Sequence, residues 1–226
     1  MRAKLEIVAL VLGSLGIIGI IAITAMPQWR VSAFIGANLI VMEDRWEGLW
    51  MNCYKQIDRM QCKVYDSLLI LPPELQAARG LVCAAIVIAL IAFAITISGT
   101  EVTSCGNDSP SAKTILLVVG GVFFLLACLT TLVPVCWVAH TVIKDFYNPT
   151  LMDAQRRELG PALYVGWGTA GLLLAAGVIL LVRFCQRREM EEKEGVYPGA
   201  YDLAPKADSV YLQRIPSSTH KTMEYV

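Results

Sequence analysis

Four long stretches of this chain contain no Asp, Glu, Lys, Arg or His: Ile7 to Met26, Gly80 to Gly99, Thr114 to Ala139 and Leu159 to Val182. A helix needs about 20 consecutive apolar residues to cross a bilayer. A buried core helix is the alternative for any one such run, but four of them in 226 residues leave too little polar chain to cover a soluble core. Only 17% of residues are charged, against about 25% in ordinary soluble domains. The expected architecture is therefore a four-helix membrane bundle with spans at about 5–26, 80–99, 114–139 and 160–182. The first run follows Arg2 and Lys4 as a signal peptide would. Its apolar stretch exceeds the roughly 7 to 15 residues of a signal h-region, so it reads as a retained span.

Four spans place both termini on one side. Segments 27–79 and 140–158 share the other side, and the spans form one unit, 1–183, followed by a tail, 184–226. Arg2, Lys4, Arg183, Arg187 and Arg188 crowd the span ends on the side of the termini, which marks that side as cytoplasmic. Asn107-Asp108-Ser109 is a sequon on the same side, and Asn148-Pro149-Thr150 carries the forbidden proline, so no N-glycan is expected. Small residues at helical spacing let helices approach closely. Ala9/Gly13, Gly166/Ala170 and Gly171/Ala175 are such pairs. Pro134 predicts a bend in span three.

The segment 27–79 is too long for a connector. Trp29, Val31 and Ala33 alternate with polar residues, and Leu39–Met42, Leu49–Tyr54 and Met60–Tyr65 are further short apolar-rich runs. Short runs separated by turns fit an antiparallel sheet. Pro73 suits the first position of a helix leading into span two. Within this segment the spacing Trp29-x18-Gly48-Leu49-Trp50-x2-Cys53-x8-Cys62 sets three large apolar side chains and two cysteines in a region that should be wet. Cys53 and Cys62 are the one cysteine pair sharing a segment, and an oxidising exterior favours a bridge. Closing a loop of this size stabilises by roughly 3 kcal/mol. Two free thiols are the alternative; a metal site would need more ligands, and no histidine lies near.

The segment 140–158 carries the loop aromatics Phe146 and Tyr147, which suit either a contact surface or packing on the bundle end. Cys105 and Cys185 flank spans two and four on the inner side and are palmitoylation candidates, with buried structural thiols as the alternative. The tail is polar, rich in Pro, Ser and Tyr, and reads as disordered. It ends Glu224-Tyr225-Val226, an apolar residue with a free carboxylate of the kind that PDZ grooves capture by strand addition.

Enzyme chemistry is not expected. The two histidines, His140 and His220, fall on opposite sides of the membrane in this topology, and no phosphate loop, zinc pattern or nucleophile elbow is present. No cofactor is implied. A formal net charge of zero gives no bulk attraction to nucleic acid. Pumps and transporters place ionisable groups within their spans, and the four apolar runs have none.

The spacing from Trp29 to Cys62 resembles the signature of the claudins, membrane proteins of the tight junction. Met26–Ser32, Met60–Leu68, Leu75–Arg79, Asp145–Pro149, Arg157–Gly160 and the final Tyr225-Val226 are also similar to claudin sequence. Peripheral myelin proteins and calcium-channel gamma subunits share the Trp and Cys signature, but the run Gln61 to Leu68 separates this chain from them. The resemblance implies a left-handed four-helix bundle with an extracellular β-sheet. It implies chains that polymerise side by side in one membrane and head to head across two, sealing the space between cells and setting its ion selectivity. It also implies cytoplasmic PDZ scaffolds as partners. Asn148-Pro149-Thr150-Leu151 departs from the Asn-Pro-Leu-Val run that a clostridial enterotoxin uses in several claudins, which argues against toxin binding.

In claudins the residue after the second signature cysteine lies near the ion path; here it is Lys63. Lys55 and Arg59 share its disulfide loop, with Asp58 as the acid between the cysteines, so a cation barrier or anion-favouring pore is expected. The alternative for Lys63 is a pair with Asp66 or a side chain in water. For the whole chain, the competing function is an auxiliary subunit of a channel in its own membrane.

Overall fold

The computed structural model describes residues 2–33, 43–56, 59–67, 71–100, 110–150 and 156–193. The run Leu39–Met42 and the residues Asp58, Cys105, Asn107, Leu151, Glu224, Tyr225 and Val226 lie outside these.

Four helices carry the fold: α1 (Arg2–Ala25), α2 (Pro73–Gly99), α3 (Pro110–Phe146) and α4 (Pro161–Lys193). Each is long and apolar enough to cross a membrane. Apolar side chains face outward as well as inward, Ile18, Leu129 and Trp137 among them, as expected where lipid replaces water. Buried hydroxyls are satisfied within their own helices: Thr96 donates to the Ala92 carbonyl and Thr131 to that of Ala127. Pro73 opens α2 as expected, and α3 runs unbroken across the buried Pro134.

Small residues make the helix crossings. Gly13 packs on Phe124, Gly16 on Leu173, Gly19 on Thr169 and Gly166 on Val135. Gly121 and Gly177 approach each other backbone to backbone between α3 and α4, a pair separated too far in sequence to be read as a motif. The pair Gly171/Ala175 does not serve this purpose, because Gly171 faces open space. Equal spacing on a helix does not say which side meets a neighbour.

Two boundaries differ from expectation. Residues 140–146 are the last turns of α3 rather than loop, and α4 continues through 184–193, which was expected to be disordered tail. In both places charged residues end the apolar run without ending the helix. Lys, Arg, Glu and Met are strong helix formers, and no Gly or Pro occurs between Val182 and Gly195.

At one end of the bundle sits a five-stranded antiparallel sheet: β1 (Arg30–Ser32), β2 (Glu43–Glu47), β3 (Met51–Gln56), β4 (Arg59–Val64) and β5 (Arg157–Leu159), in the order β4-β3-β2-β1-β5. The runs around 49–54 and 60–65 do form strands. The strand β5 was not anticipated, since three residues are too few to show alternation. It pairs Arg30 with Leu159, Val31 with Glu158 and Ser32 with Arg157. The registers place Arg30, Arg45, Glu47, Tyr54, Arg59, Lys63 and Arg157 on one face, and Trp46, Cys53, Lys55, Met60 and Cys62 on the other.

Candidate functional site

The signature residues divide into two jobs. Trp29 is 0% exposed, and its indole Nε1 donates to the Ile23 carbonyl in the last turn of α1, 2.8 Å away. Its backbone N–H donates to Glu47 and its carbonyl accepts from Gly160. One residue therefore ties α1, β2 and the β5–α4 junction together. Leu49 is equally buried and belongs to the same core as Leu71, just before α2, and Leu75 and Ala78 from its start. Gly48 and Gly160 are required by close approach: a Cβ on Gly48 would meet the backbone of Pro27, and one on Gly160 would meet the Gln28 carbonyl.

Trp50, by contrast, is 40% exposed. The Arg79 guanidinium lies 5.0 Å from its ring centroid and 5.4 Å from that of Tyr65, while Arg79 Nε donates to the Leu49 carbonyl. A cation between two rings locks the first turns of α2 onto the sheet. Tyr65 donates to Asn52 Oδ1 at 2.7 Å. Burial, then the nearby Glu47 charge, pushes its pKa up to about 12, so it remains a donor at physiological pH. In the sequence Arg79 stands out only as the end of the claudin-like run Leu75–Arg79, with nothing to mark its two aromatic partners.

Cys53 and Cys62 form a disulfide between directly opposed positions of β3 and β4. The free-thiol alternative is thereby removed. The face opposite the disulfide carries paired charges. Arg30 pairs with Glu74 of α2, both buried, and Arg45 and Arg157 each approach Glu47 at 3.2 Å. Arg45 also lies 5.0 Å over the Tyr54 ring.

The cationic residues expected near an ion path are not equivalent. Arg59 and Lys63 share the face of Arg45, whereas Lys55 lies on the disulfide face. Lys63 is 76% exposed on its side chain and pairs with Asp66 at 2.7 Å. The hydrogen bond and then the charge of Asp66 hold the ammonium pKa above its ordinary value. A pair this exposed contributes little to stability. It keeps Lys63 charged while setting an opposite charge beside it.

Phe146 and Tyr147 also part company. Phe146 is half-buried with the Arg156 guanidinium 5.9 Å from its ring centroid. Tyr147 stands edge-on to it at 5.4 Å and is 78% exposed. Both border a cleft of about 370 Å³ that Ile143, Arg157, Leu159 and Tyr164 also line. Cys185 is exposed on α4. Among the described residues no three His, Cys, Asp or Glu side chains gather as metal ligands.

Residues 3–180 match the PMP-22/EMP/MP20/Claudin family. The chain is 53% identical over 182 residues to Claudin-8 of Mus musculus, covering 80% of this chain and 81% of that one. It is 51% identical over 190 residues to Claudin-3 of Homo sapiens, covering 84% and 86%. With Claudin-17 of Sus scrofa the identity is 48% over 205 residues, covering 90% of each. With four membrane-length helices, a disulfide-bridged sheet at one end and half its residues in common with claudins, the chain belongs to the PMP-22/EMP/MP20/Claudin family as one of its claudins.

Proposed function

We propose that this protein is a non-enzymatic strand-forming adhesion protein of the tight junction, with its sheet outside the cell and both termini in the cytoplasm. Chains assemble side by side in one membrane and head to head with chains of the next cell, as homo- or hetero-polymers with other claudins. The observation that carries this reading is the sheet itself. It is braced by a disulfide, by the buried Trp29 and by the Arg79 stack, yet its β4 strand is exposed along its whole length. A rigid exposed edge above spans whose central residues carry no charge suits contact between proteins better than passage through one. Tyr147 and the cleft beside it provide a second contact surface.

Paracellular selectivity in this reading comes from Lys63, with Arg59 on the same face, and disfavours cations; the contribution of Lys55 is smaller because it points to the other face. In an epithelial layer expressing the Lys63→Asp variant, the dilution potential is expected to reverse toward cation preference relative to wild type. The same Na⁺/Cl⁻ permeability ratio in both would remove Lys63 from the path. The Asp66 partner sets a further condition, because Asp66→Asn should strengthen anion preference.

At the other end, the tail binds PDZ scaffolds through Glu224-Tyr225-Val226, and Cys185, exposed at the inner end of α4, is a palmitoylation site; Cys105 is the second candidate. Deleting Tyr225 and Val226 is expected to abolish pull-down of junction scaffold proteins by the full chain. Undiminished capture by the truncated chain would remove that role.

A further inference from the structure

One axial register joins the first and last helices, and it continues past their ends into the sheet. Away from the sheet, Arg183 Nη2 of α4 lies 3.3 Å from Glu6 Oε1 of α1, with both residues almost fully buried. Midway, Gly16 meets Leu173 and Gly19 meets Thr169. Beyond the helices, Arg30 to Ser32 pair with Leu159 back to Arg157. To within one residue, steps along α1 and β1 are matched by steps back along α4 and β5. The chain separation from Glu6 to Arg30 equals that from Leu159 to Arg183. One turn beyond Arg183, Arg187 reaches across to Thr114 of α3 at 3.1 Å.

Lipid tails are as apolar as the helix surfaces, so hydrophobicity does not distinguish one axial position of a span from the next. A buried ion pair does, because a slip of one turn, about 5.4 Å, separates the charges. Removing one partner strands the other in a low-dielectric interior. We propose that the Glu6–Arg183 pair is the distant anchor of the β1–β5 register, a conformational coupling between the membrane face away from the sheet and the strand at the sheet's edge. Three residues of β5 cannot hold their own register firmly. The Gly160 and Ala162 backbone bonds fix α4 at the sheet end, and the ion pair fixes it roughly 30 Å away at 1.5 Å per residue. With both in place, α4 cannot rock or slide. With the far anchor lost, β5 loosens against β1, and Arg157 leaves Glu47. A one-residue slip would turn every β5 side chain to the wrong face.

The test is amide hydrogen exchange on the full chain in lipid nanodiscs, comparing wild type, Glu6→Gln, Arg183→Gln and the swapped Glu6→Arg/Arg183→Glu. Coupling between distant sites ordinarily amounts to about fivefold or more. Both single variants are expected to speed exchange at residues 30–32 and 157–159 by at least that factor, leaving the disulfide-held β3–β4 hairpin unchanged. The swap is expected to restore slow exchange. Unaltered exchange at 157–159 in the single variants, equal loosening of the hairpin, or a swap that restores nothing would each overturn the proposal. If the single variants fail to fold, the swap decides: recovery of folding with slow β5 exchange supports the anchor, and failure to recover overturns it.

Discussion

Replacing Trp29 with alanine is expected to destabilise the sheet end of the molecule by about 3–5 kcal/mol, the range for emptying a buried tryptophan site. Trp29 is fully enclosed, its indole N–H satisfies a carbonyl at the end of α1, and its backbone bonds to two other elements. The site has little freedom to collapse, because Gly160 and Gly48 already bring backbones into contact on either side. Trp29→Phe keeps most of the apolar contact and loses the hydrogen bond, so a smaller loss of about 1–2 kcal/mol is expected. Thermal unfolding of the purified protein, read beside delivery to the cell surface, measures both. An alanine variant with wild-type melting and delivery would show that Trp29 does not join α1 to the sheet.

Replacing Cys53 and Cys62 together with serine is expected to cost about 2–5 kcal/mol in the sheet. The effect should be local. The bridge joins opposed residues of β3 and β4, and β4 is the edge strand whose residues are all exposed. Without the bridge, β4 is held by its pairing with β3 and, at its end, by the contacts of Tyr65. The helices, with their own glycine crossings, should still fold and reach the membrane. The expected result is a surface-expressed protein with rapid exchange at 59–64 and no junction strands. Intact strands and an unchanged seal in the double variant would show that the bridge is dispensable for assembly.

What the sequence disclosed follows from which constraints are local. Uncharged runs of about 20 residues admit few readings, so the spans were legible, as was Pro73 as a helix start. Cys53 and Cys62 were legible because they share one segment. The strands around them showed in short apolar-rich runs. Tertiary arrangement was not legible. Glu6 and Arg183, 177 residues apart, look like ordinary charges at span ends, and only the folded bundle makes them partners. The same holds for Arg30 with Glu74 and for Arg79 between Trp50 and Tyr65. The signature residues stood out together, but their spacing could not say that Trp29 and Leu49 are interior while Trp50 is half outside. Likewise, Lys55, Arg59 and Lys63 lie within one short loop, and only the strand register separates them onto two faces. The outward direction of Gly171 was hidden for a related reason, since helical spacing alone does not identify a neighbour.

Polymerisation of these chains into strands where two cells meet is tested most directly by freeze-fracture electron microscopy of cells that lack junction strands, expressing this protein alone. Continuous strand networks confined to cell–cell contacts are expected, absent in the Cys53→Ser/Cys62→Ser variant at matched surface expression. Abundant protein at the surface with no strands at contacts would contradict the claim and favour an auxiliary channel subunit acting within its own membrane.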